Sequence, residues 1–338
     1  MSARLRGAIA GCGFFAQFHL DAWRRMPDVD LVAACDPDRE RAQAAAPRAY
    51  RTLAEMLDAE RSLDFVDIAT RPETHAELVR LAMDRRVSVI CQKPMAPTLG
   101  EAIEMARHAA QSGGRLMIHE NWRWQPWYRQ MKERLAAGEI GDVVTYHFRI
   151  RKRDGAGPEP YLAQPYFRQM PRLLIHETMV HPIDTARFLF GDLRTISAHL
   201  SRRNSLIAGE DCCQLVLAHA GGVTGLADGN RFVDLAPDSP PLGDAEFEGE
   251  RGVLRVEATG DITRNGQTVW RNDVRSGYRG DSVLATQRHF VDCLRSDAAF
   301  ETSASDYLHS FAAVEAAYRS ATLAGAAVSA GPPESLAS

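Results

Sequence analysis

The chain has 338 residues, more than the roughly 250 to 300 at which a single hydrophobic core stops growing, so two domains are expected. Its 45% hydrophobic and 25% charged residues are typical of a folded globular protein and exclude a low-complexity class. With 40 basic and 44 acidic residues the net charge is -4, so no global positive field favours nucleic acid or an anionic membrane. The expected partner is a small molecule.

No targeting signal is expected at the N-terminus. The first apolar segment is interrupted by Gly11 and Gly13 before it reaches the length of a signal core, and it predicts a β-strand. No run of about 18 uncharged apolar residues occurs, which argues against a membrane span. The six cysteines form no C-x-x-C pair. We therefore expect free, buried thiols in a reducing cytoplasm and no metal site.

The first 120 residues alternate apolar β-branched runs with amphipathic stretches, a pattern typical of a doubly wound parallel sheet with helices on its faces. The predicted strands are residues 5–10, 31–35, 65–69, 87–91 and 116–119. The predicted helices are residues 14–26, 39–46, 53–58, 73–86 and 99–112. Thr52 and Thr98 each precede a glutamate by three residues, which predicts a capping box at two helix starts.

The pattern changes after Trp127, where short strands with turn signals predict an open, mostly antiparallel sheet in an α+β domain. The predicted strands are residues 143–151, 214–219, 223–227, 245–248, 253–258 and 268–271. The predicted helices are a segment ending near 137, then 174–190, 282–295 and 303–324. A disordered tail is expected from Gly331 onward.

A glycine pattern lies between the first predicted strand and the first predicted helix, in the segment Gly11-Cys12-Gly13-Phe14-Phe15-Ala16. In a dinucleotide fingerprint, the first glycine permits a tight turn and the second lets the backbone approach the pyrophosphate, while a small third residue keeps helix and strand close. The free amides at the helix start then face the phosphates. We expect a dinucleotide to bind at this segment.

Asp36 stands where the second predicted strand ends. A carboxylate at this point accepts hydrogen bonds from the adenosine ribose and repels a 2′-phosphate, which favours NAD over NADP. Two alternatives stay open: Asp36 caps a helix, or Arg39 or Arg41 binds a phosphate.

Lys93, in Gln92-Lys93-Pro94, follows the strand predicted over 87–91, at the carboxyl edge where ligands bind in open α/β sheets. A lysine, unlike an arginine, can lose and regain a proton when buried, which suits a catalytic proton donor. The alternative is an ordinary solvated surface charge.

The segment from His176 to His181 invites comparison with the zinc motif H-E-x-x-H, but histidines five apart lie about 140° apart around an α-helix, which argues against zinc. Glu177 and His181 are spaced i,i+4, and His181 and Asp184 i,i+3, so an α-helix places all three on one face. This pattern suits a histidine base oriented by carboxylates. The alternative is a polar helix start in which Asp184 pairs with a nearby arginine.

Taken in order, these motifs resemble those of the glucose-fructose oxidoreductase, inositol dehydrogenase and rhizopine-catabolism (Gfo/Idh/MocA) family over nearly the whole chain. The matching segments are Gly11-Cys-Gly13-x-x-Ala16, Asp36, Thr70-Arg-Pro72-Glu-Thr-His75, Lys93-Pro94, Asn121-Trp-Arg123, Gly138-Glu-Ile-Gly141, Glu177-x-x-x-His181-x-x-Asp184 and Glu315-Ala-Ala-Tyr318-Arg-Ser320.

The resemblance implies a Rossmann domain over residues 1–122 that binds NAD, and an α/β domain over 123–330 that binds substrate and forms oligomers, with the last helices able to return to the first domain. The implied cofactor contacts are Gly11, Cys12, Gly13, Phe14, Phe15, Asp36, Thr70, Pro72, His75, Lys93 and Asn121. The implied substrate contacts are Lys93, Trp122, Arg123, Glu177 and His181. Arg168, from the proline-bearing loop, and the nearby His176 are expected to join them.

The resemblance also implies that Lys93 and His181 meet at a substrate hydroxyl, and that Glu177 stands where relatives often carry an aspartate. A cis peptide between Lys93 and Pro94 is expected from the same source. One departure is Gln92, which replaces the usual glutamate of a Glu-Lys-Pro motif.

The expected activity is oxidation of a sugar, a polyol or an aldonic compound, and an aldose such as D-apiose is one candidate. Two alternatives stay open: NAD-dependent glycoside hydrolysis and a non-catalytic dinucleotide sensor. By analogy, we expect a cytoplasmic homodimer or homotetramer paired through the open face of the second sheet.

Overall fold

A computed structural model describes residues 3–236 and 238–332 of the chain. The chain divides into two compact units, which are residues 1–121 with 282–308, and residues 122–281 with the chain from 309 onward. Of the tail expected to be disordered, residues 333–338 lie outside the described residues. In the described part of the chain, no helix is long and apolar enough to cross a membrane.

The first unit contains a six-stranded parallel sheet with the order β3-β2-β1-β4-β5-β6. Its strands are β1 (Leu5–Ala10), β2 (Val29–Cys35), β3 (Arg48–Tyr50), β4 (Phe65–Ile68), β5 (Ser88–Gln92) and β6 (Leu116–His119). The intervening helices are α1 (Ala16–Arg24), α2 (Arg39–Ala45), α3 (Leu53–Ala59), α4 (Pro72–Met83) and α5 (Leu99–Ser112). Strand order reverses beside β1, which places the loop after β1 at the switch point where ligands bind in such sheets.

The second unit is built on a nine-stranded sheet with the order β14-β13-β12-β11-β7-β10-β9-β8-β15. Within the described part of this unit, β7 and β10 are the only strands that pair in parallel, which confirms a mostly antiparallel sheet. Its strands are β7 (Val143–Arg151), β8 (Leu193–Ser201), β9 (Cys212–His219), β10 (Thr224–Asn230), β11 (Gly243–Gly249), β12 (Gly252–Val256), β13 (Ile262–Arg264), β14 (Gln267–Trp270) and β15 (Val328–Ser329).

The remaining α-helices are α6 (Pro126–Ala136), α7 (Val180–Phe190), α8 (Ser282–Ser296) and α9 (Ala304–Thr322). One prediction was wrong in detail, because residues 174–190 do not form a single α-helix. Leu174–Met179 is a π-helix that leads into α7. A π-turn bonds residue i to i+5 and is wider than an α-turn, so helical spacing does not carry across the junction unchanged.

Aromatic packing places α8 in the core of the first unit. The Trp23 ring from α1 lies 4.8 Å from the Phe65 ring of β4, which in turn lies 5.4 Å from Phe290 of α8. A side chain at Gly7 of β1 would overlap the Phe65 ring, so β1 packs directly against this cluster. The cluster fixes the middle of the parallel sheet, and with it the edge from which the functional loops emerge.

Both threonine caps predicted from the sequence are present as hydrogen bonds. Thr52 accepts a hydrogen bond from the Glu55 amide, and Thr98 from the Glu101 amide. Since each cap satisfies an otherwise orphaned donor, these two helix starts are determined locally.

Candidate active site

The loop after β1 has the geometry of a phosphate-binding turn. Gly11 adopts a φ of +89°, and a Cβ there would lie 2.9 Å from the backbone of Ala69, so only glycine fits. A Cβ at Gly13 would meet nothing within 4 Å, which leaves room for a ligand against the backbone. Among the described residues no side chain caps α1 at Phe15. The loop and the first helical amides therefore fit a pyrophosphate.

Asp36 lies at the end of β2 and is held beside this loop. Its Oδ2 accepts a hydrogen bond from the Cys12 amide at 2.8 Å, and its Oδ1 accepts one from the Asp38 amide at 2.8 Å. The side chain that caps α2 is Asp38, not Asp36. Each carboxylate oxygen can accept a second hydrogen bond, so Asp36 is suited to ribose hydroxyls.

The Cys12 thiol is not a reactive group in this loop. Burial, together with the nearby Asp36 carboxylate, raises the pKa of Cys12 to about 12. The thiol therefore stays protonated at neutral pH and is a poor nucleophile. All six cysteines of the chain are free thiols.

His75 connects two loops at the same edge of the sheet. Its ring is fully buried, with Nε2 3.2 Å from the Thr70 carbonyl oxygen and Nδ1 3.1 Å from that of Pro94. Burial lowers the pKa of His75. Pro72 occupies the first turn of α4, beside Thr70. His75 thus braces the loop after β4 against the loop after β5.

Lys93 directly follows β5 and is half-buried, and its peptide bond to Pro94 is cis. The Lys93 amide donates a 2.6 Å hydrogen bond to Oε1 of Gln92. Asn121, just beyond β6, donates from Nδ2 to the Ser282 hydroxyl at 2.8 Å, and both side chains are buried. The carboxyl edge of the first sheet thus carries the loop glycines, Asp36, Lys93 and Asn121.

In the second unit, His176 and Glu177 lie within the π-helix, whereas His181 lies in the first turn of α7. The His181 ring stacks on the Trp122 indole, with ring centroids 4.7 Å apart and planes 2° from parallel. Such a stack holds the imidazole in one plane and suits its charged form, because the indole face is electron-rich. Trp122 therefore orients His181.

Asp184 does not take the role expected from its spacing. Its buried carboxylate accepts hydrogen bonds from Arg123, at 2.6 Å and 2.8 Å, and from the Ser310 hydroxyl at 2.7 Å. Burial opposes ionisation, but Arg123 outweighs it and, with Arg187, keeps the pKa of Asp184 below its usual value. The pair Arg123–Asp184 is a buried ionic support beneath α7, not a carboxylate that orients His181.

Glu210 holds the start of the π-helix, and sequence reasoning missed it. Its buried Oε1 accepts hydrogen bonds from the Ile175 amide at 3.0 Å, the Leu173 amide at 3.2 Å and the Tyr318 hydroxyl at 2.6 Å. Burial and the Glu210 carboxylate both raise the pKa of Tyr318, so this phenol stays a donor. These contacts join residues that are 35, 37 and 108 positions apart in the sequence, so no local pattern reveals them.

Three further residues were expected to contact the substrate. His176 is buried, and its amide donates to the Tyr318 hydroxyl at 3.3 Å. Arg168 donates from Nε to the Pro160 carbonyl at 2.7 Å. Glu177 is only partly buried, in the same π-helix.

These observations define a dinucleotide-binding oxidoreductase fold with candidate acid–base groups. Residues 5–120 match the oxidoreductase family with the NAD-binding Rossmann fold, and residues 128–255 match the C-terminal domain of the same GFO/IDH/MocA family. The chain belongs to the Gfo/Idh/MocA oxidoreductases, binds NAD and acts on CH–OH groups.

Two relatives match along almost the entire chain. A protein named D-apiose dehydrogenase from Paraburkholderia graminis is 39% identical over 94% of this chain and 88% of its own length. A second D-apiose dehydrogenase, from Rhizobium rhizogenes, is 35% identical over 94% of this chain and 95% of its own length.

A solved structure of an oxidoreductase from Agrobacterium radiobacter superposes with a TM-score of 0.89 at 33% identity, covering 97% of this chain and 99% of that one. That protein was crystallised in complex with NAD+, L-tartaric acid and magnesium. An oxidoreductase from Thermotoga maritima, at 22% identity with a TM-score of 0.84, shows the same fold.

We predict that Glu210→Gln lowers the free energy of unfolding by about 1–3 kcal/mol, because Oε2, which also faces the Leu173 amide at 3.3 Å, is replaced by an NH2 donor. Urea denaturation of Glu210→Gln and of Glu248→Gln, an exposed strand glutamate, measures the difference. Equal midpoints for the two variants would contradict the role assigned to Glu210.

Proposed function

We propose that this protein is an NAD-dependent dehydrogenase that oxidises a hydroxyl of a free sugar, and that the sugar is D-apiose or a similar branched aldose. The observation that carries this proposal is the match, over 94% of the chain, to two relatives named D-apiose dehydrogenase. Inositol 2-dehydrogenases match over less of the chain, at 31% identity or below, which favours an aldose over a cyclic polyol.

We assign proton transfer to His181 and polarisation of the reacting oxygen to Lys93. The imidazole removes the proton of the substrate hydroxyl, and the lysine donates a hydrogen bond to the same oxygen as it becomes a carbonyl. Bound NAD supplies the hydride acceptor. Two observations support these roles. Lys93 lies at the carboxyl edge of the Rossmann sheet, and the Trp122 stack favours a His181 that becomes charged during the reaction.

Substrate recognition is assigned to side chains of the second unit. Glu177 and His176 lie in the π-helix just before His181, and π-turns are frequent at functional sites. Glu177 is partly exposed, so its carboxylate is suited to bind a neighbouring sugar hydroxyl. Trp122 offers an aromatic face, which suits sugar C–H groups. Arg123 and Arg168 complete the proposed set as hydrogen-bond donors.

We predict that D-apiose reduces NAD in the presence of the wild-type protein, with steady NADH formation measured at 340 nm as the absorbance of the reduced cofactor. A panel of unbranched aldoses, inositol and aldonates, each assayed at the same concentration, gives the specificity. Transient oxidation during glycoside hydrolysis would give no net NADH, and absence of NADH with every free sugar would refute the dehydrogenase.

The catalytic assignment predicts that His181→Ala lowers the single-turnover rate of NAD reduction by about 10²–10⁴-fold, as expected for loss of a general base. Lys93→Ala should lower it by about 10²-fold, because a donor to the developing charge is lost. His108→Ala, a partly exposed histidine that pairs with Asp84 on another helix, is the matched control. Near wild-type rates in both site variants would end the assignment.

Cofactor choice is assigned to Asp36. We predict that Asp36→Ala raises the KM for NAD about 10-fold or more, because hydrogen bonds to a charged group contribute about 1.5–3 kcal/mol. We also expect it to lower the ratio of the kcat/KM value for NAD to that for NADP. Asp38→Ala removes a carboxylate two residues away that caps α2, and is the control. If both variants change the ratio of kcat/KM values for NAD and NADP equally, the preference does not come from Asp36.

We further propose a homo-oligomer that pairs through the exposed face of the nine-stranded sheet. Val216 of β9 and Leu226 of β10 are direct cross-strand partners near the middle of that sheet, and both are about half exposed, at 41% and 45%. An apolar pair that is exposed in the middle of a sheet of one subunit is typical of a surface that a second subunit covers.

We predict that Leu226→Glu shifts the protein to smaller species in light scattering coupled to size-exclusion chromatography, because a charge would be buried in the interface. Leu323→Glu, at an exposed position after α9, is the control. A wild-type protein that is monomeric at micromolar concentration would refute the interface.

A further inference from the structure

A buried polar chain runs through the first unit to the backbone of Lys93. His19 of α1 and Asp67 of β4 are fully buried, and Gln92 at the end of β5 is 7% exposed. Nδ1 of His19 lies 2.7 Å from Oδ2 of Asp67, and Nε2 of His19 lies 3.0 Å from Nε2 of Gln92. The other end of the Gln92 amide contacts the Lys93 N–H at 2.6 Å.

The donor and acceptor at each link follow from chemistry. A backbone N–H can only donate, so the Gln92 atom that faces Lys93 is the carbonyl oxygen. The atom that faces His19 is then the amide NH2, which can only donate, so Nε2 of His19 is an acceptor and carries no hydrogen. The single ring proton therefore lies on Nδ1 and is donated to Asp67. All hydrogen bonds in the chain run in one direction, from Lys93 to Gln92, from Gln92 to His19 and from His19 to Asp67.

The other contacts of the chain hold its far end in place. Oδ2 of Asp67 also accepts a hydrogen bond from Nε1 of Trp23 at 2.7 Å, with the Nε2 of Gln287 at 3.5 Å. The His19 ring stacks on the ring of His119, with centroids 4.1 Å apart. The plane of the His19 ring, its Asp67 acceptor and the other donors to Asp67 are held by α1, β4, β6 and α8. The position of the Gln92 amide is therefore determined by groups outside its own strand.

Only an amide at position 92 can link a singly protonated His19 to the Lys93 N–H. A glutamate would still accept from Lys93, but its second oxygen would face Nε2 of His19 and would require a second ring proton. A methionine would have nearly the same length, but it has no donor and its thioether sulfur is only a weak acceptor. Replacing Gln92 by an ionised glutamate or by methionine would therefore break this chain of hydrogen bonds.

We propose that Gln92 is a positioning residue for Lys93, which it orients by coupling the Lys93 backbone to a His19 held in its Nδ1–H form. This inference rests on the proposed function in one respect, since it takes Lys93 as the group that contacts the reacting oxygen. The protonation of His19 is a property of the protein alone, so it can be tested apart from activity.

The first experiment is long-range ¹H–¹⁵N correlation NMR on protein labelled with ¹⁵N-histidine, with His19 assigned by loss of its signals in His19→Gln. We expect the His19 pattern of the wild type to be that of a neutral ring with hydrogen on Nδ1, and that of Gln92→Glu to be a ring protonated on both nitrogens at the same pH. A doubly protonated His19 in the wild type, or identical patterns in both proteins, would overturn the proposal.

The second experiment separates kcat from KM. Gln92→Met should lower kcat about tenfold, because a small misplacement of a catalytic group is costly, while the KM for the sugar stays within about twofold. Gln130→Met, a surface substitution of the same type on α6, should leave both constants unchanged. Wild-type kcat in a folded Gln92→Met protein would overturn the proposal.

The two failures are distinguishable. If none of the sugars tested leads the wild-type protein to reduce NAD, the proposed function fails. The NMR result still decides the protonation of His19. If the wild type is active and Lys93→Ala is inactive, but Gln92→Met matches the wild type, the proposed function stands and the positioning role is lost.

Discussion

The turn at Gly11 is the constraint on which the candidate cofactor site depends. β1 lies in the middle of the parallel sheet, and the chain must leave its carboxyl end and enter α1 within five residues. The φ of +89° and the approach of the Ala69 backbone leave no room for a side chain. That turn aims the start of α1 at the sheet edge and brings the Cys12 amide to Asp36, so one glycine determines both the phosphate and ribose ends of the site.

In each unit, buried polar contacts hold the segments around the candidate site in one arrangement. In the first unit, His75 braces two loops through backbone carbonyls, and Asp67 anchors the hydrogen-bonded chain to Gln92. In the second, Arg123–Asp184 and Glu210 play the same part beneath α7 and the π-helix. A buried polar group is costly unless it is fully paired, and once paired it permits one arrangement only. Of the two residues proposed to react, Lys93 is half-buried, whereas His181 is buried like these supports.

The sequence predicted what is encoded locally. Strands β1, β6 and β7 and helix α5 have the bounds expected from apolar periodicity, and the caps at Thr52 and Thr98 form as their spacing indicated. β3 was missed because three residues are too few to show a period. β8 was missed because Arg194 and Thr195 interrupt the alternation near its start, although Ile196, Ala198 and Leu200 alternate with polar residues.

The supports of the candidate site were the least predictable part. Asp184 was expected to face His181 from its i,i+3 spacing, but its partner Arg123 is 61 residues away in sequence. The π-helix was predicted as an α-helix because its residues have ordinary helical character. Its start bonds to Glu210 and Tyr318, two residues that only the fold brings to it. Residue patterns over a few positions cannot predict contacts between residues that are far apart in the sequence.

The two proposed catalytic groups are held in place by residues of different units. Lys93 is oriented through Gln92 by groups that all belong to the first unit, and His181 is stacked on Trp122, which belongs to the second. Each proposed catalytic group is therefore held by contacts within its own unit, so a substitution in either support acts first on the group of the same unit. Since both groups are proposed to act on one substrate oxygen, the effects of such substitutions on the reaction rate are expected to be non-additive.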